Sequence, residues 1–190
     1  MRNLFYPIWR SPWLRPVLLA VVLSVPVGAL TALILRGSYW QFLIQAVIVG
    51  TGGQIIVGIV LVAGAWWFWR RSPTSLRILR YAAATALFLV LQASLSLPLG
   101  EAIATHDQHQ IKAYCESLIP LLEAHAAAHG EYPATIQQLD QAPDPPAAMR
   151  DEIFYHRRDQ GYEFTVLDNR ELFGWWTLPY GQQEWQHIVD

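Results

Sequence analysis

The sequence predicts a membrane protein in two parts: three transmembrane α-helices in residues 1–100, then a small α+β domain in residues 101–190, a long helix on an antiparallel sheet. Three observations predict it. Residues 1–100 hold eight Arg, no Lys and no acidic residue, whereas residues 101–190 hold five basic and all fifteen acidic residues. Three long stretches of the first half carry no charge at all. Past Gly100 the pattern changes from uniformly apolar to periodic, at helical spacing first and with alternation later. The net charge of −2 thus hides two halves with different solvents. Lipid selects against carboxylates, because one at the bilayer centre costs about 3 kcal/mol even on lenient insertion scales.

The first span is expected over residues 17–35. Between Arg15 and Arg36 lie twenty uncharged residues, enough as a helix to cross a hydrocarbon core of about 30 Å. A cleaved signal peptide is the rival reading, but the apolar run is too long and lacks a small-x-small cleavage site. The second uncharged stretch, residues 37–69, is about 50 Å as a helix, more than one perpendicular crossing and less than two with a turn. It reads as one tilted span over residues 42–68. Its small residues Ala46, Gly50, Gly52 and Gly53 suit close helix packing, Ala46 and Gly50 forming a small-xxx-small pair. The alternative is a helix broken at Gly50, Thr51, Gly52, Gly53 and Gln54 to line a path. The third span, residues 81–99, carries Gln92, Ser94 and Ser96 for hydrogen bonds inside the bundle. It is expected to run on, straight or bent at Pro98, into the helix that follows.

Orientation follows from basic residues beside the spans. Arg2, Arg10 and Arg15 lie in the N-terminal tail, Arg36 in the first loop, and Arg70, Arg71, Arg77 and Arg80 in the second. The positive-inside rule then puts the N-terminus in the cytoplasm of a bacterial inner membrane and the C-terminal domain in the periplasm. Aromatic residues agree, with Trp9, Trp13, Trp66, Trp67 and Trp69 at the inner interface and Tyr39 and Trp40 at the outer one.

In the external half Ile111, Tyr114, Cys115, Leu118, Leu122, Ala126 and His129 recur at steps of three and four, an amphipathic helix ending near Gly130. Pro120 falls on its opposite side. Gly130, Glu131, Tyr132 and Pro133 stop that helix, residues 134–139 read as a short second helix, and a Pro-rich loop covers residues 143–146. Residues 153–157 and 162–167 alternate around Arg158-Asp159-Gln160-Gly161, a hairpin signal, and residues 172–178 make a third strand.

A membrane span leading into an amphipathic helix, then "HGEYPATIQQLD", a Pro-rich loop and "IFYHRRDQGYEFTVL", resembles type IV pilins and type II secretion pseudopilins. The resemblance spans roughly residues 82–167 and rests on Gly130, Tyr132, Pro133 and Leu139. It implies a pilin-like fold of a helix, a Gly-x-Tyr-Pro turn, a short helical segment and a small antiparallel sheet. The chain departs from that family in lacking the prepilin peptidase signature and in having two further spans. The resemblance therefore implies a pilin-like domain on a fixed anchor rather than a processed, polymerising subunit.

The residues that could carry chemistry are few. His125 and His129 are four apart, the spacing at which two imidazoles on one helix face can share a metal. Both fall on the apolar stripe, which favours a core or rim role. Cys115, the only cysteine, excludes an intramolecular disulfide and sits at the edge of the same face as a buried thiol rather than a nucleophile. The chain has no Gly-x-Ser-x-Gly, phosphate-binding glycine loop or His-Glu-x-x-His pattern, so no enzyme and no cofactor are expected. Its arginines are too dispersed for nucleic acid. Phe173, Trp175, Trp176, Tyr180 and Trp185 crowd the fourteen residues 172–185, more than a one-sheet domain easily buries, and form the candidate partner-binding surface.

Three functions follow in order. The first is a non-enzymatic inner-membrane protein presenting a pilin-like interaction domain in the periplasm as part of an envelope complex, with the lipid bilayer and a protein as partners and homo-oligomers allowed. The second is an immunity protein against a toxin acting at the membrane or in the periplasm. The third is a small transporter or channel subunit, resting on Gly50 to Gln54 and the intramembrane glutamines.

Overall fold

A computed structural model describes residues 14–70, 72–139, 141–149, 154–171 and 173–189. The expected features at Arg2, Trp9, Arg10, Trp13, Arg71, Leu172 and the start of the first strand at Ile153 lie outside them. The chain divides into two compact units, Met1–Ala102 and Ile103–Asp190.

The first unit is built from α1 (Leu14–Leu35), α2 (Tyr39–Arg70) and the first part of α3 (Pro73–His129), three helices long and apolar enough to cross a membrane. α2 is one unbroken helix through Gly50, Gly52 and Gly53. α3 begins at Pro73, the first helical position, where a missing N–H costs nothing. Arg77 and Arg80 therefore stand on the helix, not in a loop. α3 also continues through Pro98 and Pro120 to His129 as one element.

Contact between the helices is made by small and polar side chains. On α1 Ala20, Ser24, Gly28 and Ala32, spaced by four, are the buried residues. A Cβ at Gly28 would lie 3.2 Å from the Gln92 carbonyl and from Leu95 Cβ, so α1 and α3 meet backbone to backbone there. Gln41 and Gln45, one turn apart on α2, are buried against α3. The Gln41 amide donates to the Ser96 carbonyl at 2.6 Å and its oxygen accepts from the Gly37 N–H at 2.9 Å. Gln45 donates to the Ser96 hydroxyl at 3.0 Å. Gln41 fits because Gly100 has no side chain: a Cβ there would collide with its amide. Gln92 reaches the Thr31 hydroxyl at 3.3 Å, closing the set on α1. The outside of the bundle is apolar, with Leu19, Val22, Ile34, Leu61 and Val62 all more than half exposed.

The second unit packs the last turns of α3 on a four-stranded antiparallel meander. Its strands are β1 (Tyr155–Arg158), β2 (Gly161–Leu167), β3 (Gly174–Pro179) and β4 (Gln186–Val189), in that order across the sheet. The helical stripe Ile111, Tyr114, Cys115, Leu118 and Leu122 meets Phe154, Tyr155, Tyr162, Phe164, Val166 and Leu178 in a single core. Leu118, Leu122 and Phe164 are fully buried, each worth about 1.5–3 kcal/mol of transfer free energy. Ala126 and His129 lie outside that core.

The segment after α3 is fixed by specific contacts. Gly130, with φ of 81°, ends the helix in the left-handed conformation. Tyr132 stands edge-on to Tyr162 and Tyr180 at 5.3 and 5.6 Å. The carbonyl of buried Pro133 accepts a 2.8 Å bond from the Tyr155 hydroxyl. The expected helix over residues 134–139 is a single 3-10 turn, Ile136–Gln138, placing Ile136 and Leu139 in the core. Six residues between Pro133 and a loop are too few to nucleate an α-helix. The hairpin turns at Asp159 and Gln160, with Arg158 opposite Gly161. β4 is the strand that sequence patterning missed.

Candidate interaction surface

Antiparallel pairing gives each sheet residue a face. Val166, Trp176 and His187 are cross-strand neighbours on the face toward α3, and Leu167, Trp175 and Ile188 form the adjacent row on the opposite face. This parity divides the aromatic tail into two groups.

Trp176, Tyr180 and Trp185 are engaged within the domain. The Trp176 indole N–H donates to Asp168 at 3.0 Å, its ring stacks on His187 at 4.4 Å, and the Lys112 ammonium lies 3.2 Å from its centroid. The Trp185 indole donates to Glu116 on α3 at 2.8 Å. Tyr180 covers Gly161, where a Cβ would sit 2.5 Å from its ring, and packs on Tyr162 at 5.5 Å. These three close the edges of the core.

Phe173 and Trp175 differ. Phe173 is 62% exposed, and Trp175 is half-buried in a row with Leu167, 54% exposed, and Ile188, 37% exposed. The Trp175 indole N–H has no hydrogen-bond partner among the described residues, whereas the N–H groups of Trp176 and Trp185 both reach carboxylates. Leu167 and Ile188 carried no sequence signal as contact residues. Only the register of β2, β3 and β4 brings them to Trp175.

Asp168, at the end of β2, organises the boundary between the two groups. It is 3% exposed and accepts from the Arg170 backbone N–H and guanidinium at 3.0 Å and from Trp176, with His187 Nε2 at 3.3 Å. Burial pushes its carboxyl upward, but the Arg170 and Trp176 hydrogen bonds and the Arg170 charge outweigh that and hold it below the ordinary carboxylate value.

The remaining candidates are placed as follows. His125 and His129 stack at 4.2 Å, with His129 exposed and its Nδ1 3.1 Å from the His125 carbonyl. Among the described residues no group of three or more His, Cys, Asp or Glu is arranged to hold a metal. Cys115 is fully buried, and burial with the nearby Glu116 charge pushes its thiol up to about 12. Of the small residues of α2, Gly52 lies against Leu89, where a Cβ would be 3.3 Å away; Cβ atoms at Gly50 and Gly53 would meet nothing within 4 Å, and Ala46 is exposed.

No family model, curated protein or solved structure matches the chain.

Proposed function

We propose that the chain is a non-enzymatic membrane protein of the bacterial inner membrane that holds a small pilin-like domain in the periplasm, where the outer sheet face binds a protein partner. The observation that carries this reading is the row Leu167, Trp175 and Ile188, with exposed Phe173 just before β3: an apolar strip whose indole N–H has no partner among the described residues, on a sheet whose opposite face is filled by α3. Trp is enriched in interface hot spots because one side chain offers both a large apolar area and a donor.

Membrane insertion is supported by the apolar exterior of the three-helix unit, since soluble proteins do not leave such a surface to water. Orientation is supported by the arginines flanking the spans. A non-enzymatic role is supported by the state of Cys115: a fully buried thiol pushed to about 12 has neither the access nor the thiolate population of a nucleophile.

The test is photo-cross-linking in the native cell with benzoylphenylalanine at position 173 and, as control, at position 159 in the β1–β2 turn. A discrete protein adduct is expected from position 173 and none from 159. Trp175→Ala should weaken capture about 30-fold while the domain stays folded. Absence of any protein adduct at position 173 would sink the proposal. A second reading, an immunity protein, is favoured by the acidic composition of the domain; on that reading, deleting the gene sensitises the cell to a neighbouring toxin.

A further inference from the structure

The second unit contains a cavity of about 580 Å³ between α3, the 3-10 turn and the Pro-rich loop, away from the outer sheet face. That is too large for one water or ion and falls within the range of about 300–1,000 Å³ used by ligand pockets. Its apolar walls include Tyr114, Ala142, Met149, Phe154 and Tyr155, with Asp144 on the loop at the rim. Tyr155 is already committed through its hydroxyl to the Pro133 carbonyl. The Tyr114 hydroxyl and the Asp144 carboxylate have no hydrogen-bond or ion-pair partner among the described residues. Both line the cavity, and burial first, then the nearby Cys115 and Asp144, push the Tyr114 phenol above its ordinary value.

The charge around the cavity selects its occupant. Arg157 pairs with Glu131 at 2.7 Å, Arg158 with Glu163 at 2.5 Å and Arg170 with Asp168 at 3.0 Å, and Lys112 lies over Trp176. None of these cations is assigned to Asp144. An apolar, aromatic-walled slot with a carboxylate at its mouth that pairs with no described residue matches a side chain with an aliphatic stem and a cationic head.

We infer that this cavity receives a lysine or arginine side chain from an extended segment of a protein partner, its stem against Tyr114, Met149 and Phe154 and its charge at Asp144. The inference rests on the reading of this domain as a protein-binding module and gives it a second, charge-selective contact.

The chain holds two methionines, Met1 and Met149, so methyl NMR of the full chain, labelled at the methionine methyls in a zwitterionic nanodisc, watches the cavity directly. The probes are three blocked pentapeptides, identical but for two central positions carrying Lys, Gln or Glu. Expected is a saturable shift of the Met149 methyl with the Lys peptide, binding about 5-fold weaker with Gln and none with Glu, and loss of the Lys preference at 0.5 M salt. Asp144→Asn, at an exposed loop position, should abolish the preference for Lys over Gln. An unmoved Met149 methyl, equal response to the three peptides, or an undiminished preference in Asp144→Asn would each overturn the inference; the wild-type comparison needs no variant to fold. A silent Met149 with cross-links intact at position 173 removes the cavity alone. A responding Met149 without those cross-links removes the sheet-face reading instead.

Discussion

Asp168 illustrates how one buried charge is tolerated and what depends on it. An isolated carboxylate at 3% exposure is strongly disfavoured. Here Arg170 surrounds it from two positions later in the chain, and Trp176 adds a donor from β3. Asp168→Asn keeps the shape and removes the charge, weakening the charge-assisted bonds from Arg170 and the bond from Trp176, so it should destabilise the domain by about 2 kcal/mol in denaturant unfolding of the full chain. The pH dependence has a fixed sign. Because the carboxyl is held below its ordinary value when folded, its stabilisation is present above the ordinary carboxylate range and disappears as pH falls through the depressed value. The wild-type advantage over Asp168→Asn should therefore be constant near pH 7 and shrink below about pH 4. An advantage that grows with acid would show that the Arg170 contacts do not stabilise the charged form.

At the scale of elements, the contact between α1 and α3 depends on backbone proximity at Gly28. Gly28→Leu should force the helices apart at a cost of about 1–3 kcal/mol, whereas Gly50→Leu, where a Cβ meets nothing within 4 Å, should stay within about 0.5 kcal/mol. Unfolding in detergent distinguishes them, and equal tolerance would refute this helix contact. The same pair shows what was legible. The helices, the stripe from Ile111 to Leu122 and three strands followed from periodicity, because burial of a repeated pattern leaves its mark along the chain. Which glycines lie against a neighbouring helix did not: Gly50, Gly52 and Gly53 form the conspicuous cluster, yet Ala20, Ser24, Gly28 and Ala32 form the buried stripe. Small size permits contact without specifying it. β4 escaped notice because four residues with two apolar side chains form no pattern, and its place is set by pairing with β3. The outer row was hidden for the same reason, since Leu167, Trp175 and Ile188 become neighbours only through register.

For the whole molecule the decisive property is the separation of charge between residues 1–100 and 101–190. On the proposed topology the arginines of the first half remain on the cytoplasmic side or near the headgroups, where anionic lipid attracts each by about 1 kcal/mol. The acidic domain is repelled by that same surface and sits on the other side. Cys115 is fully buried and leaves the surface free of native thiols, so single exposed cysteines can report sidedness in a Cys115→Ala background. Asp159→Cys, in the β1–β2 turn, should react with a membrane-impermeant maleimide added to intact spheroplasts. Thr74→Cys, exposed in the first turn of α3, should react only after permeabilisation. The reverse pattern would place the carboxylates against the cytoplasmic leaflet and the arginines of the α2–α3 junction outside. The rows of side chains on the sheet would survive that result unchanged, but their partner would then have to be cytoplasmic.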